Sequence, residues 1–188
     1  MEQWKRAKTA GVGMAAVAVL ACAVSLGTAA LAETPPPVTL PDGSKTQEGA
    51  KNQDGKWVLP DGTPTYHINA DNTLDWCSYS GFRRYHDAGG CMRCHGPEGE
   101  GSTYGPALVK SLKSMPYSEF VKIVTKGRER ERSVMPAFEG NNNVMCYMDD
   151  IYVYLKARSD GVLPRGRPPG RDEKPQSAKD HDKACFGG

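Results

Sequence analysis

The sequence predicts an all-α fold: about three main helices in one small domain, with an irregular N-terminal extension before it and a disordered tail behind it. Three observations point there. Helix start and stop signals bracket three segments between residues 74 and 163. The flanks are crowded with turn formers, from a total of 21 Gly and 14 Pro in 188 residues. Apolar residues make up only 38% and aromatics 8%, so a large single core is not expected. A domain of roughly ninety residues is marginal on its own apolar area and usually needs a staple, a metal or a cofactor. Charge gives no reason to expect a nucleic-acid partner, with 24 Lys+Arg against 22 Asp+Glu.

The elements follow in chain order. In residues 1–32, Lys5, Arg6 and Lys8 precede an apolar run from Gly11 to Leu26, then Ala30-Leu31-Ala32. That is the charged n-region, apolar h-region and A-x-A site of a secretory signal peptide. Cleavage after Ala32 is expected. Two alternatives compete: a retained anchor, for which a run rich in Ala and Gly is a poor span, and lipidation at Cys22, since Val19-Leu20-Ala21-Cys22 loosely resembles a lipobox. No other stretch approaches ~18 apolar residues, so stable membrane insertion after cleavage is not expected. The exported chain has equal numbers of acidic and basic residues and belongs in the periplasm, where disulfides persist.

Residues 33–73 are turn-rich. Leu40-Pro41-Asp42-Gly43 recurs as Leu59-Pro60-Asp61-Gly62, and each Pro-Asp-Gly reads as a turn. Trp57-Val58-Leu59 and Thr65-Tyr66-His67-Ile68 flank the second copy, which makes a small hairpin plausible. Asp71, Thr73 and Asp75 alternate as in a calcium loop, but Trp76 stands where Gly is required and Phe82 where Glu is, so this is not an EF-hand.

In the domain of residues 74–163, the first helix is expected near Ser80–Ala88, stopped by Gly89-Gly90. The second follows Met115-Pro116 and runs to Lys126, with Gly127 just past its end. The third starts near Val144 and ends before Gly161, carrying Met145, Met148, Ile151, Tyr152 and Leu155 on one stripe. The tail, residues 164–188, scatters Pro164, Pro168, Pro169 and Pro175 among charges and reads as disordered. The run Arg128-Glu129-Arg130-Glu131-Arg132 nearly cancels its own charge and reads as a solvated loop.

One motif carries chemistry. Cys91-Met92-Arg93-Cys94-His95 is C-x-x-C-H, the attachment sequence of c-type haem. Two thiols three residues apart on a helical turn reach both vinyl groups of one porphyrin edge, and the adjacent imidazole meets the iron. A thiol redox pair is disfavoured because that motif normally opens a helix after a strand in a βαβ setting. Half a zinc site is disfavoured because no second Cys-x-x-Cys or His-x-x-x-His follows. One covalent haem c is the expected cofactor.

Downstream, Gly96-Pro97-Glu98-Gly99-Glu100-Gly101 leads to Gly105-Pro106-Ala107-Leu108, and here the chain resembles the monohaem cytochromes c. The resemblance implies a small cytochrome c-type fold around the haem. It implies that the Pro106 carbonyl accepts the His95 Nδ1–H, and that Gly81, Tyr85, Ile151, Tyr154 and Leu155 form a crossing of the terminal helices. For the distal ligand, Met92 is too close to the attachment turn, and Met145 and Met148 suit core filling. Met115 and Met135 remain, each before a proline. Met135, in Ser133-Val134-Met135-Pro136-Ala137-Phe138, matches the family's distal loop and is the expected ligand, with Met115 the alternative. His67, His86 and His181 are the candidates for a bis-His site.

The segments Asp75–His86 and Asn143–Arg158 further resemble the methanol-metabolism-related bacterial cytochromes c, which carry an extra cysteine pair. Three cysteines, Cys77, Cys146 and Cys185, allow three single pairings, and sequence alone does not choose. Because the helices bearing them should cross, a Cys77–Cys146 disulfide is expected, with Cys185 left over. The resemblance implies no catalysis. It implies an electron carrier that accepts from a periplasmic pyrroloquinoline quinone (methanol or alcohol) dehydrogenase and passes electrons to a downstream cytochrome or oxidase. Alternatives are a general carrier feeding a terminal oxidase, and a haem sensor or enzyme with an open axial site.

Overall fold

Short polar turns govern the first part of the chain. The computed structural model describes residues 34–130 and 133–187; the expected export segment, residues 1–32, lies outside them, as does Cys22. Asp42 Oδ1 accepts from Ser44 N at 2.9 Å, Asp61 Oδ1 from Thr63 N at 2.9 Å, and Asp71 Oδ1 from Thr73 N at 2.9 Å. Each such Asx turn reverses the chain. The third copy was hidden in the sequence because Asn72, at φ 65°, takes the place that Gly43 and Gly62 hold in the other two.

These turns organise β1 (Pro37–Thr39), β2 (Lys45–Gln47), β3 (Lys51–Gln53), β4 (Lys56–Val58), β5 (Pro64–Thr65) and β6 (His67–Ile68). They form two three-stranded antiparallel sheets, ordered β1-β2-β6 and β3-β4-β5. The all-α expectation is therefore corrected: the described residues form seven α-helices and three small sheets. Strands of two or three residues are too short to display the alternation by which a strand is read from sequence.

The helical part begins with α1 (Trp76–Arg83), capped by Asp75, whose carboxylate accepts from Ser78 N at 3.1 Å. A π-helical turn continues it over Arg84–Ala88. Then come α2 (Met92–His95), α3 (Leu108–Ser111) and α4 (Tyr117–Lys126). A two-stranded hairpin of β7 (Arg128–Arg130) and β8 (Ser133–Met135) follows. The expected third helix is broken at Cys146-Tyr147 into α5 (Asn142–Met145) and α6 (Met148–Ser159).

The core sits where α1 crosses α6. A Cβ on Gly81 would collide with the Asp150 carbonyl and stand 2.9 Å from Tyr154 Cβ, so only glycine permits this approach. Tyr85, Tyr154, Leu155 and Ile151 are buried there, and Tyr66, Ile68 and Leu74 from the extension enter the same cluster. Tyr66 Oη donates to Asp160 at 2.8 Å and Lys56 Nζ reaches Asp149 at 2.7 Å, fastening sheet to helix.

The disordered tail is also corrected. Asp172 N donates to Leu74 O at 2.8 Å, and α7 (Gln176–Phe186) packs back through Ser177 Oγ to Asp54 O at 2.6 Å and Tyr147 Oη to Asp182 at 2.6 Å. Proline sets the start of this helix rather than preventing it, since Pro175 lies just before its first turn.

Candidate haem site

The π-helical turn delivers the attachment motif. Gly89 N reaches back to Arg84 O at 2.7 Å, and a Cβ on Gly89 would stand 2.7 Å from that oxygen and 3.1 Å from Cys91 Sγ. The glycine thus lets the chain turn tightly enough to bring Cys91 against the core. Cys91 is half-buried, Cys94 is exposed and neither is in a disulfide. Burial pushes the Cys91 thiol up to about 11, the opposite of the lowered value a thiol redox pair uses.

His95 is buried, and its Nδ1 lies 2.9 Å from the Pro106 carbonyl oxygen. A carbonyl only accepts, so Nδ1 carries the proton and Nε2 keeps its lone pair. That is the donor set haem iron requires: one imidazole nitrogen oriented by the other, beside two thiols. The residues fit the group. Gly105 makes the bond possible, because a Cβ there would stand 2.9 Å from His95 Nδ1, His95 Cε1 and Cys94 O. Gly101 N donates to His95 O at 2.7 Å, Ser102 Oγ to Cys94 O at 2.5 Å, and the buried Tyr85 Oη to Gly96 O at 2.5 Å. These partners were not singled out from sequence, because a bond to a backbone carbonyl leaves no pattern in the residue types.

Met135 stands on β8, half-buried against the shared core; Met115, also half-buried, precedes Pro116 before α4. The structure thus brings Cys91, Cys94, His95 and Pro106 into one turn and loop, with Met135 on a separate hairpin. The histidine rivals are occupied elsewhere. His67 stacks on Trp57 at 4.1 Å and its Nε2 meets Ser44 Oγ at 3.0 Å, and burial lowers its pKa. His86 Nδ1 meets Phe82 O at 2.8 Å, and His181 Nε2 meets Cys146 O at 2.5 Å.

The expected cysteine pairing is corrected. Cys146 is bonded to Cys185 of α7, with Cα atoms 6.1 Å apart, and Cys77 is a buried free thiol on α1. The physical reason is the ordered tail: α7 folds back over the junction of α5 and α6, which a disordered tail would not reach. Burial pushes the Cys77 thiol far above its ordinary range, with the nearby Asp150 carboxyl adding to the shift.

A haem-attachment turn tied to a proline carbonyl and cradled by crossing helices defines a c-type cytochrome, and the chain belongs to that family. It carries covalently bound haem c and serves electron transfer rather than catalysis. The family model described as cytochrome C oxidase, cbb3-type, subunit III matches residues 80–155. Cytochrome c-553I of Paracoccus denitrificans is 43% identical over 166 residues, covering 86% of this chain and 72% of that one. Cytochrome c-555 of Methylococcus capsulatus (strain ATCC 33009 / NCIMB 11132 / Bath) is 43% identical over 103 residues, 55% of this chain and 76% of that one. The crystal structure of the c-type cytochrome XoxG from Methylobacterium extorquens AM1 superposes with a TM-score of 0.69 at 45% identity, covering 83% of this chain and 99% of that one.

Proposed function

We propose that the protein is a periplasmic carrier that accepts electrons from a quinoprotein methanol or alcohol dehydrogenase and passes them to a downstream cytochrome or oxidase. One observation carries the reading. The two segments that resemble the methanol-metabolism cytochromes, residues 75–86 and 143–158, are the ones that meet at the α1–α6 crossing. The export signal at residues 1–32 supports the compartment. Among the described residues, no helix is long and apolar enough to cross a membrane.

One haem, held by Cys91 and Cys94 and ligated by His95 and Met135, would supply one-electron iron chemistry. The chain's own residues set the conditions for it. Pro106 O fixes the His95 tautomer, and Met135 would supply the thioether that closes the iron to substrate. Val134, 69% exposed, offers a small contact point suited to a brief encounter. Equal acidic and basic counts in residues 33–188 argue for docking that depends only moderately on salt.

The test is stopped-flow mixing of oxidised cytochrome with alcohol-reduced quinoprotein from the same cell. Haem reduction should be faster than with an unrelated cytochrome. Equal rates would discard the alcohol dehydrogenase and leave a general carrier.

A further inference from the structure

The end of α4 and the hairpin that bears Met135 meet at a single residue. Gly127 closes α4 with φ +73°, the region that favours glycine, and Arg128, the next residue, pairs with Met135 across β7 and β8. A Cβ on Gly127 would stand 2.5 Å from Met135 O, 2.8 Å from Ala137 N and 2.9 Å from Pro136 C. All three are backbone atoms, so no side-chain rotation relieves the clash. Real Cβ contacts do not come that close, so the segment 135–137 would have to move.

Met135 and Phe138 also pack, half-buried, against the core. Phe138 N donates to Val124 O at 3.1 Å, and Lys126 pairs with Glu139 at 2.6 Å on the surface. The exposed ion pair contributes little to position. The close backbone contact at Gly127 is therefore the tightest constraint on where Met135 sits relative to α4.

We propose that Gly127 is the positioning residue for the distal ligand: its missing side chain seats the Met135-Pro136-Ala137 backbone against the end of α4. The inference rests on the reading of Met135 as that ligand. It acts through space as well as through the backbone angles, and a second positive-φ glycine serves as comparison. Gly161, after α6, has φ +74° with nothing within 4 Å of a Cβ. Ala at either position meets a positive φ, but only at 127, where ψ is −179°, does it also displace a neighbour.

The experiment compares haem-loaded Gly127→Ala, Gly161→Ala and Met135→Ala. Each is read by the weak sulfur-to-iron band at the red edge of the oxidised spectrum and by CO binding to the reduced protein. Gly127→Ser joins them as a second small side chain at the same site; it keeps the test available if Gly127→Ala does not fold. The expected result is loss of the band and gain of CO binding in Met135→Ala and in both Gly127 variants, with Gly161→Ala like the parent. If Met135→Ala removes the band and a folded Gly127 variant keeps it and stays inert to CO, the positioning role is wrong. If Met135→Ala itself keeps the band, the ligand reading fails first and the inference falls with it.

Discussion

The proximal and distal sides of the candidate haem site are built by different means. His95 is buried at the end of α2, where four backbone carbonyls (those of Cys94, His95, Gly96 and Pro106) each receive a hydrogen bond from elsewhere in the loop or from the π-helical turn. Met135 sits on a two-stranded hairpin with Val134 beside it 69% exposed, held by a short ladder and one backbone contact with α4. A mutually supporting network anchored by buried Tyr85 and His95 resists local opening, whereas an isolated two-stranded hairpin is marginal by itself. The comparison teaches that His95 is held within a hydrogen-bonded loop, whereas Met135, the proposed distal ligand, is held at the edge of the core by a local hairpin.

Changes to the framework that carries the attachment turn should shift stability the most. Largest is loss of the disulfide. Closing a loop across a sequence separation of 39 residues stabilises by roughly 4 kcal/mol in the chain-entropy model, so Cys185→Ser should lower the thermal midpoint markedly. Non-reducing peptide mapping of the parent should recover Cys146 joined to Cys185, with Cys77 alkylated only after unfolding. Recovery of a Cys77–Cys146 peptide would reverse this.

Next comes Asp150, on α6 beneath the crossing. Burial pushes its carboxyl up to about 7 from an ordinary 3.8, the charge of Asp75 adds to the shift, and Ser80 and Lys56 oppose it. The folded chain therefore binds one more proton than the unfolded chain between those two values. This contribution to stability is fully present below 3.8 and is lost as pH rises through about 7. Asp150→Asn should remove that slope and leave the variant more stable than the parent above pH 7, by on the order of 2–4 kcal/mol. Urea melts of both proteins across this range would show it; parallel pH profiles would contradict it.

Tyr85→Phe is smaller. It removes one of two hydrogen bonds to the Gly96 carbonyl, which keeps Gly99 N at 3.2 Å, so the cost is that of a single bond, about 0.5–1.5 kcal/mol. Smallest is Val134→Ser on the hairpin, where an exposed substitution should change stability by less than about 0.5 kcal/mol. Chemical denaturation of the two variants side by side measures the contrast directly. Comparable losses would erase the distinction between the two sides.

Much of the helical frame was legible in the sequence because its signals are local. Pro116 and Gly127 bracket α4, and Cys91, Cys94 and His95 announce the attachment chemistry by spacing alone. What was not legible depends on atoms that sequence does not place. The six short strands of the extension arise from side chains accepting main-chain N–H groups at Asp42, Asp61 and Asp71, of which only two copies share residues. The break at Cys146-Tyr147 follows helix-compatible residues, and the tail's prolines hid a helix that becomes useful only once it docks. The cysteine pairing was missed for the same reason: the partner came from a segment read as disordered. Gly105 and Gly127 look like any other glycine until a neighbour's backbone is found against them.

The central claim, a core-held proximal ligand and a locally held distal one, is tested most directly by a urea titration of the oxidised holoprotein. The sulfur-to-iron band and the far-ultraviolet circular dichroism are followed in the same samples. The band should disappear at a clearly lower urea concentration than the helical signal, with the haem still bound to its imidazole between the two transitions. A single coincident transition in both signals would show that the hairpin is as much a part of the core as His95, and would contradict the account.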